Sequence, residues 1–97
     1  MYVILTSKPG QFRTEMVDGV TLVEAYDYLF CGRKCAHFAI AELEREVKIR
    51  IVDESGAPAI NLVPSKFLPR FATLEQARAE LAQLAGHGTM DAALVGV

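Results

Sequence analysis

The chain has 97 residues, a hydrophobic fraction of 52% and a formal net charge of −2 at pH 7. These values predict one folded domain over residues 1–97. They argue against a disordered chain, which buries too little apolar surface, and against a generic nucleic-acid binder, which is strongly basic. Two cysteines are too few for a disulfide-rich secreted scaffold, and no apolar run approaches the roughly 20 residues that cross a bilayer. We therefore expect a cytoplasmic protein without membrane association.

The first elements have the patterns of strands. Residues 2–5 form an apolar run of strand length, and Pro9-Gly10 after it is typical of a type II turn, where glycine takes the positive φ. Residues 11–17 alternate between two kinds of side chain, which indicates a strand with one exposed face. The pair Asp18-Gly19 then predicts a hairpin.

Residues 21–43 fit two structures. A helix is favoured by Thr21 and Glu24, which have the spacing of a capping box, and by apolar residues at helical intervals. Strands are favoured by the aromatic content of the segment, since three aromatic side chains at alternate positions would share one face. We expect a pair of strands around a turn at residues 31–34.

Two further strands are predicted in the middle of the chain. Residues 47–52 alternate between branched apolar and basic side chains, which is the clearest strand pattern in the sequence. Residues 59–63 predict a short strand bounded by Pro58 and Pro64. Because proline cannot donate a ladder hydrogen bond, this strand is expected at the edge of a sheet.

The principal helix is predicted in the last third of the chain. Thr73 and Gln76 have the spacing of a capping box, and Gly86 is typical of a helix end. Between them an apolar stripe recurs at helical spacing, with members Leu74, Ala77, Leu81 and Leu84.

The segments that flank this helix are irregular in pattern. Residues 65–71 predict an irregular or 3-10 turn, because Pro69 forbids a long helix, and the tail from Thr89 predicts a short turn around Leu94. The whole pattern predicts an α+β fold. It would have a mainly antiparallel sheet of five or six short strands, with one C-terminal helix packed on one face.

Cys31, Cys35 and His37 are candidates for a metal-binding or thiol-redox site. Thiolates and imidazole bind zinc and iron, and the neighbouring cations Arg33 and Lys34 would favour a thiolate. A zinc site needs a fourth ligand, and the only other histidine is His87 in a glycine-rich loop. The alternative is a pair of small thiols beside a turn with a surface histidine.

Basic residues could form a patch on one sheet face, with tyrosines as stacking surfaces for RNA. The cations concerned are Arg13, Arg33, Lys34, Lys48 and Arg50, and the tyrosines are Tyr26 and Tyr28. The alternative is a solvated face on which these cations pair with glutamates across the strands. The acidic balance of the chain favours that alternative and argues against a nucleic-acid partner.

The segment of residues 63–71 combines two prolines, two phenylalanines and two cations. Exposed aromatic and basic side chains on a stiff loop are typical of protein interfaces, so we expect Lys66, Phe67, Arg70 and Phe71 to bind a partner. The alternative is a connector whose two phenylalanines close one end of the core.

Catalysis is not predicted. The sequence has neither a G-x-S-x-G nor an H-E-x-x-H motif, and the pair Cys35 and His37 has no evident third group to orient the imidazole. The favoured hypothesis is a small non-catalytic accessory domain, without a cofactor, that docks on a larger metabolic or redox protein complex. The alternatives are the thiol or metal site and a homodimeric sheet that binds a small ligand or RNA.

Overall fold

The computed structural model describes residues 1–56, 59–84 and 92–97. Seven strands and one helix occur in that part of the chain, with a 3-10 turn at Ser65–Phe67. They are β1 (Tyr2–Ser7), β2 (Phe12–Glu15), β3 (Val20–Phe30), β4 (Arg33–Leu43), β5 (Lys48–Asp53), β6 (Ile60–Pro64), α1 (Leu74–Leu84) and β7 (Ala92–Gly96). The predicted α+β class is confirmed. The described strands outnumber the five or six expected, and they form two sheets.

The two sheets and the helix are stacked in three layers. The larger sheet has the strand order β1-β4-β3-β7 and the smaller one β2-β5-β6, and all their pairs are antiparallel. The smaller sheet packs on one face of the larger sheet, and α1 packs on the opposite face. The expected position of the helix on one sheet face is therefore confirmed.

The turn at Asp18-Gly19 joins the two sheets. The prediction of a hairpin here is wrong, because β2 pairs with β5 whereas β3 pairs with β4. Gly19 has a φ of 90°, and a Cβ atom on it would lie 2.8 Å from Val47 Cγ1. The flanking side chains of Val17 and Val20 pack into the core between the sheets. The chain therefore passes from one layer to the next instead of folding back beside itself.

Strands β3 and β4 form a long hairpin, which confirms the strand interpretation of residues 21–43. Its turn is Cys31-Gly32, and both residues have positive φ, 52° and 77°, as a type I′ turn requires. The pairing register shifts at Val23 in β3 and at Cys35 in β4. Each shift is a β-bulge, which adds one residue to a strand and changes the phase of its side-chain alternation.

A core of aliphatic side chains lies between the two sheets. Its buried members are Val3, Leu5, Ala39, Ala41, Leu43 and Ile49. Because side chains alternate along a strand, the odd-numbered residues of β1 and of this part of β4 point to the smaller sheet. Ser7 lies two residues after Leu5 in β1, and His37 lies two residues before Ala39 in β4. Both side chains therefore lie on this same face.

A second core lies between the larger sheet and α1. Its buried members are Ala36, Phe38, Ile40, Ala77 and Leu81. The helix begins as predicted, with the Gln76 backbone N–H donating to Thr73 Oγ1 at 3.2 Å. Leu74 also faces this core, whereas Leu84 is exposed. The predicted end at Gly86 lies outside the described residues.

Strand β7 replaces the turn that the sequence predicted around Leu94, so that prediction is wrong. Residues 92–96 pair with the free side of β3, and Val97 N–H donates to Ala25 O at 3.0 Å. Leu94 packs on the helix-facing core. Residues 92–96 form a strand because the free edge of β3 is there to pair with them. β3 is far from these residues in sequence, so their local pattern does not reveal the pairing. The predicted start at Thr89 lies outside the described residues.

Candidate functional site

The 3-10 turn after β6 is fixed to the core by Ser65. This side chain is fully buried, its Oγ accepts a hydrogen bond from Val47 N–H at 3.0 Å, and its own N–H donates to Val47 O at 2.8 Å. Leu68, three residues on, packs against the core between the sheets. The two residues between these anchors, Lys66 and Phe67, are thereby held on the surface.

The four residues predicted to bind a partner fall into two groups. Phe67 is 71% exposed, and the Lys66 ammonium lies 5.4 Å from the centre of its ring. Arg70 forms an ion pair with Glu46 at 3.3 Å. Phe71 packs on the helix-facing core and shares two backbone hydrogen bonds with Tyr2. Lys66, Phe67 and Arg70 are thus exposed, whereas Phe71 packs against the core.

Strand β6 lies at an edge, as predicted, and pairs only with β5 among the described strands. Asp53 N–H donates to Ala59 O, and Ser65 N–H to Val47 O, each at 2.8 Å. In an antiparallel ladder the direction of the backbone groups alternates from residue to residue. The N–H and C=O groups of Ile60 and Leu62 therefore point away from β5, as does the carbonyl of Pro64.

The side chains of Ile60 and Leu62 are also open, each 55% exposed. They lie on the outer face of the smaller sheet, opposite Val52 and Arg50 in the register. At the end of the strand, Lys48, Pro64 and Lys66 line a cleft of about 280 Å³ together with Glu46, Val47 and Ser65. We call the surface formed by Ile60, Leu62, Pro64, Lys66 and Phe67 the β6 surface.

Sequence reasoning missed Ile60 and Leu62 as binding residues. The signal was present, because the flanking prolines predicted an edge strand in which these two side chains alternate with Asn61 and Val63. What could not be inferred was which alternate set faces the core. That assignment depends on pairing with β5, where Val63 lies opposite the buried Ile49.

The structure places Cys31, Cys35 and His37 on one hairpin without forming a cluster of ligands. Both thiols are free and exposed, Cys31 in the turn and Cys35 at a bulge, where its Sγ contacts Arg33 O at 3.6 Å. Within residues 1–56, 59–84 and 92–97, no three histidine, cysteine, aspartate or glutamate side chains are placed to hold a metal ion.

His37 has a different neighbour, Asp27. Its Nδ1 lies 2.9 Å from Asp27 Oδ1, and Lys34 Nζ lies 3.2 Å from the same oxygen. The hydrogen bond from His37, and to a smaller extent Lys34, lowers the pKa of the Asp27 carboxyl below its ordinary value. Sequence reasoning found no group to orient His37, because Asp27 reaches it only through the β3–β4 register.

A polar cleft of about 370 Å³ lies beside His37. Its lining includes Ser7, Phe12, Arg13, Thr14, Lys34, His37 and Glu54. Arg13 forms ion pairs with Glu15 at 3.0 Å and with Glu54 at 3.2 Å. The cleft therefore combines two hydroxyls, an imidazole, two cations and a carboxylate at one end of the core between the sheets.

The two tyrosines proposed to stack on RNA do not share a surface with the basic residues that the structure pairs with carboxylates. Arg13 and Arg50 pair with Glu15 on the smaller sheet, and Lys34 pairs with Asp27 on the larger one. The two tyrosines of β3 pack on the opposite, helix-facing side of the larger sheet.

The described residues contain no helix long and apolar enough to cross a membrane. Among the described residues, the β6 surface and the polar cleft each bring together groups able to bind or react. No protein-family model, curated protein or solved structure matches this chain.

Proposed function

We propose that this protein is an interaction domain that docks on a larger protein by adding one strand of that partner to β6. The observation that carries the proposal is the coincidence, at Ile60 and Leu62, of outward backbone groups and half-exposed apolar side chains. Natural proteins cover, charge or twist such edges when they are not used, because an open edge pairs with other chains. Strand addition to an exposed edge is a recurrent mode of peptide recognition.

Two contributions would hold the partner strand. Each edge hydrogen bond to Ile60, Leu62 or the Pro64 carbonyl contributes about 0.5–1.5 kcal/mol net. Alternate side chains of the added strand would lie beside Ile60 and Leu62 on the outer face, where apolar residues bury the most surface. Phe67, 71% exposed next to the end of β6, offers the aromatic contact typical of interface centres.

The charges near Pro64 specify the partner further. Lys48 and Lys66 line the same cleft, and the one carboxylate there, Glu46, is paired with Arg70. The cleft therefore has an excess of positive charge that an acidic side chain can neutralise. The expected ligand is an extended segment with apolar residues at alternate positions and an aspartate or glutamate near the Pro64 end.

A phage-displayed library of random peptides, selected on the full chain, tests the proposal. Selected peptides should show the alternating apolar pattern with an acidic residue at one end. Their affinity should fall at least about tenfold on Leu62→Asp, because a charge would face the apolar partner side chain. Leu22→Asp is the matched control: Leu22 is a strand leucine with 51% exposure away from β6, and binding should be unchanged.

Two results would overturn the proposal. Selected peptides that bind Leu62→Asp as well as the parent would place the binding surface elsewhere. A homodimer in analytical ultracentrifugation that dissociates in Leu62→Asp would identify a second copy of this chain, and not a larger protein, as the occupant of the β6 edge.

A further inference from the structure

Ser7, His37 and Asp27 stand in one row across three neighbouring strands of the larger sheet. The register pairs Ser7 of β1 with His37 of β4, and His37 with Asp27 of β3. All three side chains lie on the face toward the smaller sheet. Directly opposite residues in antiparallel strands have Cβ atoms about 4.5–5.5 Å apart, so each side chain in the row is a neighbour of the next.

The imidazole in the middle of the row has a defined orientation. Its Nδ1 forms a hydrogen bond with Asp27 Oδ1 at 2.9 Å, and an ionised carboxylate can only accept a hydrogen bond. Nδ1 therefore carries the ring proton in the neutral imidazole, and Nε2 carries the lone pair. In the part of the chain that the structure describes, Nε2 has no hydrogen-bond partner.

The Ser7 hydroxyl, at one end of the row, also has surroundings that favour its reaction as a nucleophile. Ser7 Oγ accepts a hydrogen bond from Thr14 N–H at 2.9 Å, a contact that favours negative charge on the oxygen. The Ser7 proton itself has no acceptor among the described residues. Rotation about the Cβ–Oγ bond re-aims this proton while the bond from Thr14 N–H is kept, and His37 is the neighbouring side chain across the β1–β4 pair.

Both reactive groups open into the polar cleft of about 370 Å³, which Lys34 and Arg13 also line. A volume of this size accommodates a small acyl group. Arg13 and Lys34, each paired with a carboxylate, place N–H donors on the wall of this cleft, and such donors stabilise an acyl oxygen that becomes negative during attack. Phe12, on the wall of the same cleft, offers an apolar contact for the acyl chain.

The geometry points to a second activity, separate from the β6 surface: Ser7 is an acyl-accepting nucleophile, His37 its general base and Asp27 the residue that positions His37. Ser7 Oγ would attack the carbonyl carbon of a small ester while His37 Nε2 takes the hydroxyl proton. The C–O bond to the leaving alcohol breaks as His37 returns the proton to the alcohol oxygen. Water, deprotonated by His37, then releases the acid and restores Ser7.

A fluorophosphonate probe and p-nitrophenyl acetate, each applied to the full chain, test the nucleophile and the base. We expect mass spectrometry to find one phosphonyl adduct, on Ser7. Its rate of formation and the rate of ester hydrolysis should fall at least about a hundredfold in Ser7→Ala and His37→Gln. Ser55→Ala, which removes an exposed hydroxyl in a turn, should leave both rates unchanged. Thermal melts show whether each variant is folded.

The absence of an adduct on Ser7 in the folded parent would overturn the assignment. So would an adduct on Ser7 that forms as fast in His37→Gln as in the parent, because that result would mean that the imidazole takes no part.

Asp27→Asn tests the positioning residue. The substitution keeps the shape of the side chain, but the amide can donate to Nδ1 and so removes the preference for the tautomer with its lone pair on Nε2. We expect the rate of Ser7 labelling per folded molecule to fall, and Asp27→Glu, which keeps an acceptor for the Nδ1 proton, to restore part of it. A purely structural role for Asp27 would reduce the folded fraction and leave the rate per folded molecule unchanged, which would contradict the assignment.

Discussion

The two faces of the larger sheet are covered in different ways. Toward the smaller sheet, the contacts are small and branched aliphatic side chains, with Val3 and Ala41 fully buried and Ile49 1% exposed. Toward α1, the contacts include aromatic rings, and the rim carries an ion pair in which Arg78 donates to both oxygens of Glu24, at 2.9 and 2.6 Å.

The two faces therefore differ in what stabilises them: apolar burial between the sheets, and apolar burial together with an ion pair at the helix. Burial of apolar side chains does not depend on protonation, so the core between the sheets should be insensitive to pH. The helix face depends partly on charge. Arg78 lowers the pKa of the Glu24 carboxyl, whereas burial and the neighbouring Glu24 raise the pKa of the Tyr26 hydroxyl. We expect acid to weaken the attachment of the helix before it affects the contact between the sheets.

The largest expected effect comes from Ile49→Ala in the core between the sheets. Removing a nearly fully buried isoleucine loses transfer free energy and leaves a cavity, and the free energy of unfolding should fall by about 2–5 kcal/mol. Urea denaturation measures it. Ile60→Ala is the control, because Ile60 is 55% exposed on the adjacent strand and should change stability by less than about 0.5 kcal/mol. Equal losses in both variants would contradict the proposed role of burial.

The next effect is expected for Ser65→Ala. The substitution leaves Val47 N–H without its bond to Ser65 Oγ in a buried place, and an unsatisfied buried donor costs about 1–3 kcal/mol. Ser55→Ala, in an exposed turn, should cost less in the same urea measurement. A stability of Ser65→Ala equal to that of the parent would show that the backbone alone fixes the 3-10 turn.

The smallest effect should come from Glu24→Gln, and it depends on pH. A carboxyl whose folded pKa lies below its unfolded value stabilises the protein above the unfolded pKa, and that stability is lost as pH falls through the folded pKa. The parent should therefore lose stability as pH falls below the ordinary glutamate pKa of 4.5, and Glu24→Gln should lose less. Urea denaturation across this range measures the difference, with the exposed Glu44→Gln as control. If the free energy of unfolding fell equally with pH in the parent and in Glu24→Gln, the attribution of this acid sensitivity to Glu24 would be contradicted.

The local elements were predictable because their signals lie within a few residues. The alternation in β5, the Thr73 cap of α1 and the edge position of β6 were all confirmed. The division of the strands between two sheets was not predictable, since Asp18-Gly19 has the local pattern of a hairpin whether or not its flanking strands pair. The bulges at Val23 and Cys35 also explain why β3 and β4 had no clear alternation.

The two regions proposed to be functional also differed in how far the sequence indicated them. The segment with Lys66 and Phe67 stood out from its composition, and its surface position follows from the nearby anchor Ser65. The row of Ser7, Asp27 and His37 leaves no such trace, because its members come from three strands and meet only through the pairing register. A single aspartate among aromatic residues was the one local hint, and it has no meaning until its partner across the sheet is known.

Pro64 sets a limit on assembly. Its nitrogen lies in the alternate set of residues whose backbone faces away from β5, so the donor that proline lacks is missing from the free edge itself. A strand added along Ile60 and Leu62 finds no N–H at Pro64. The free edge is therefore interrupted at this end, which limits the repeated strand pairing that builds a cross-β fibre.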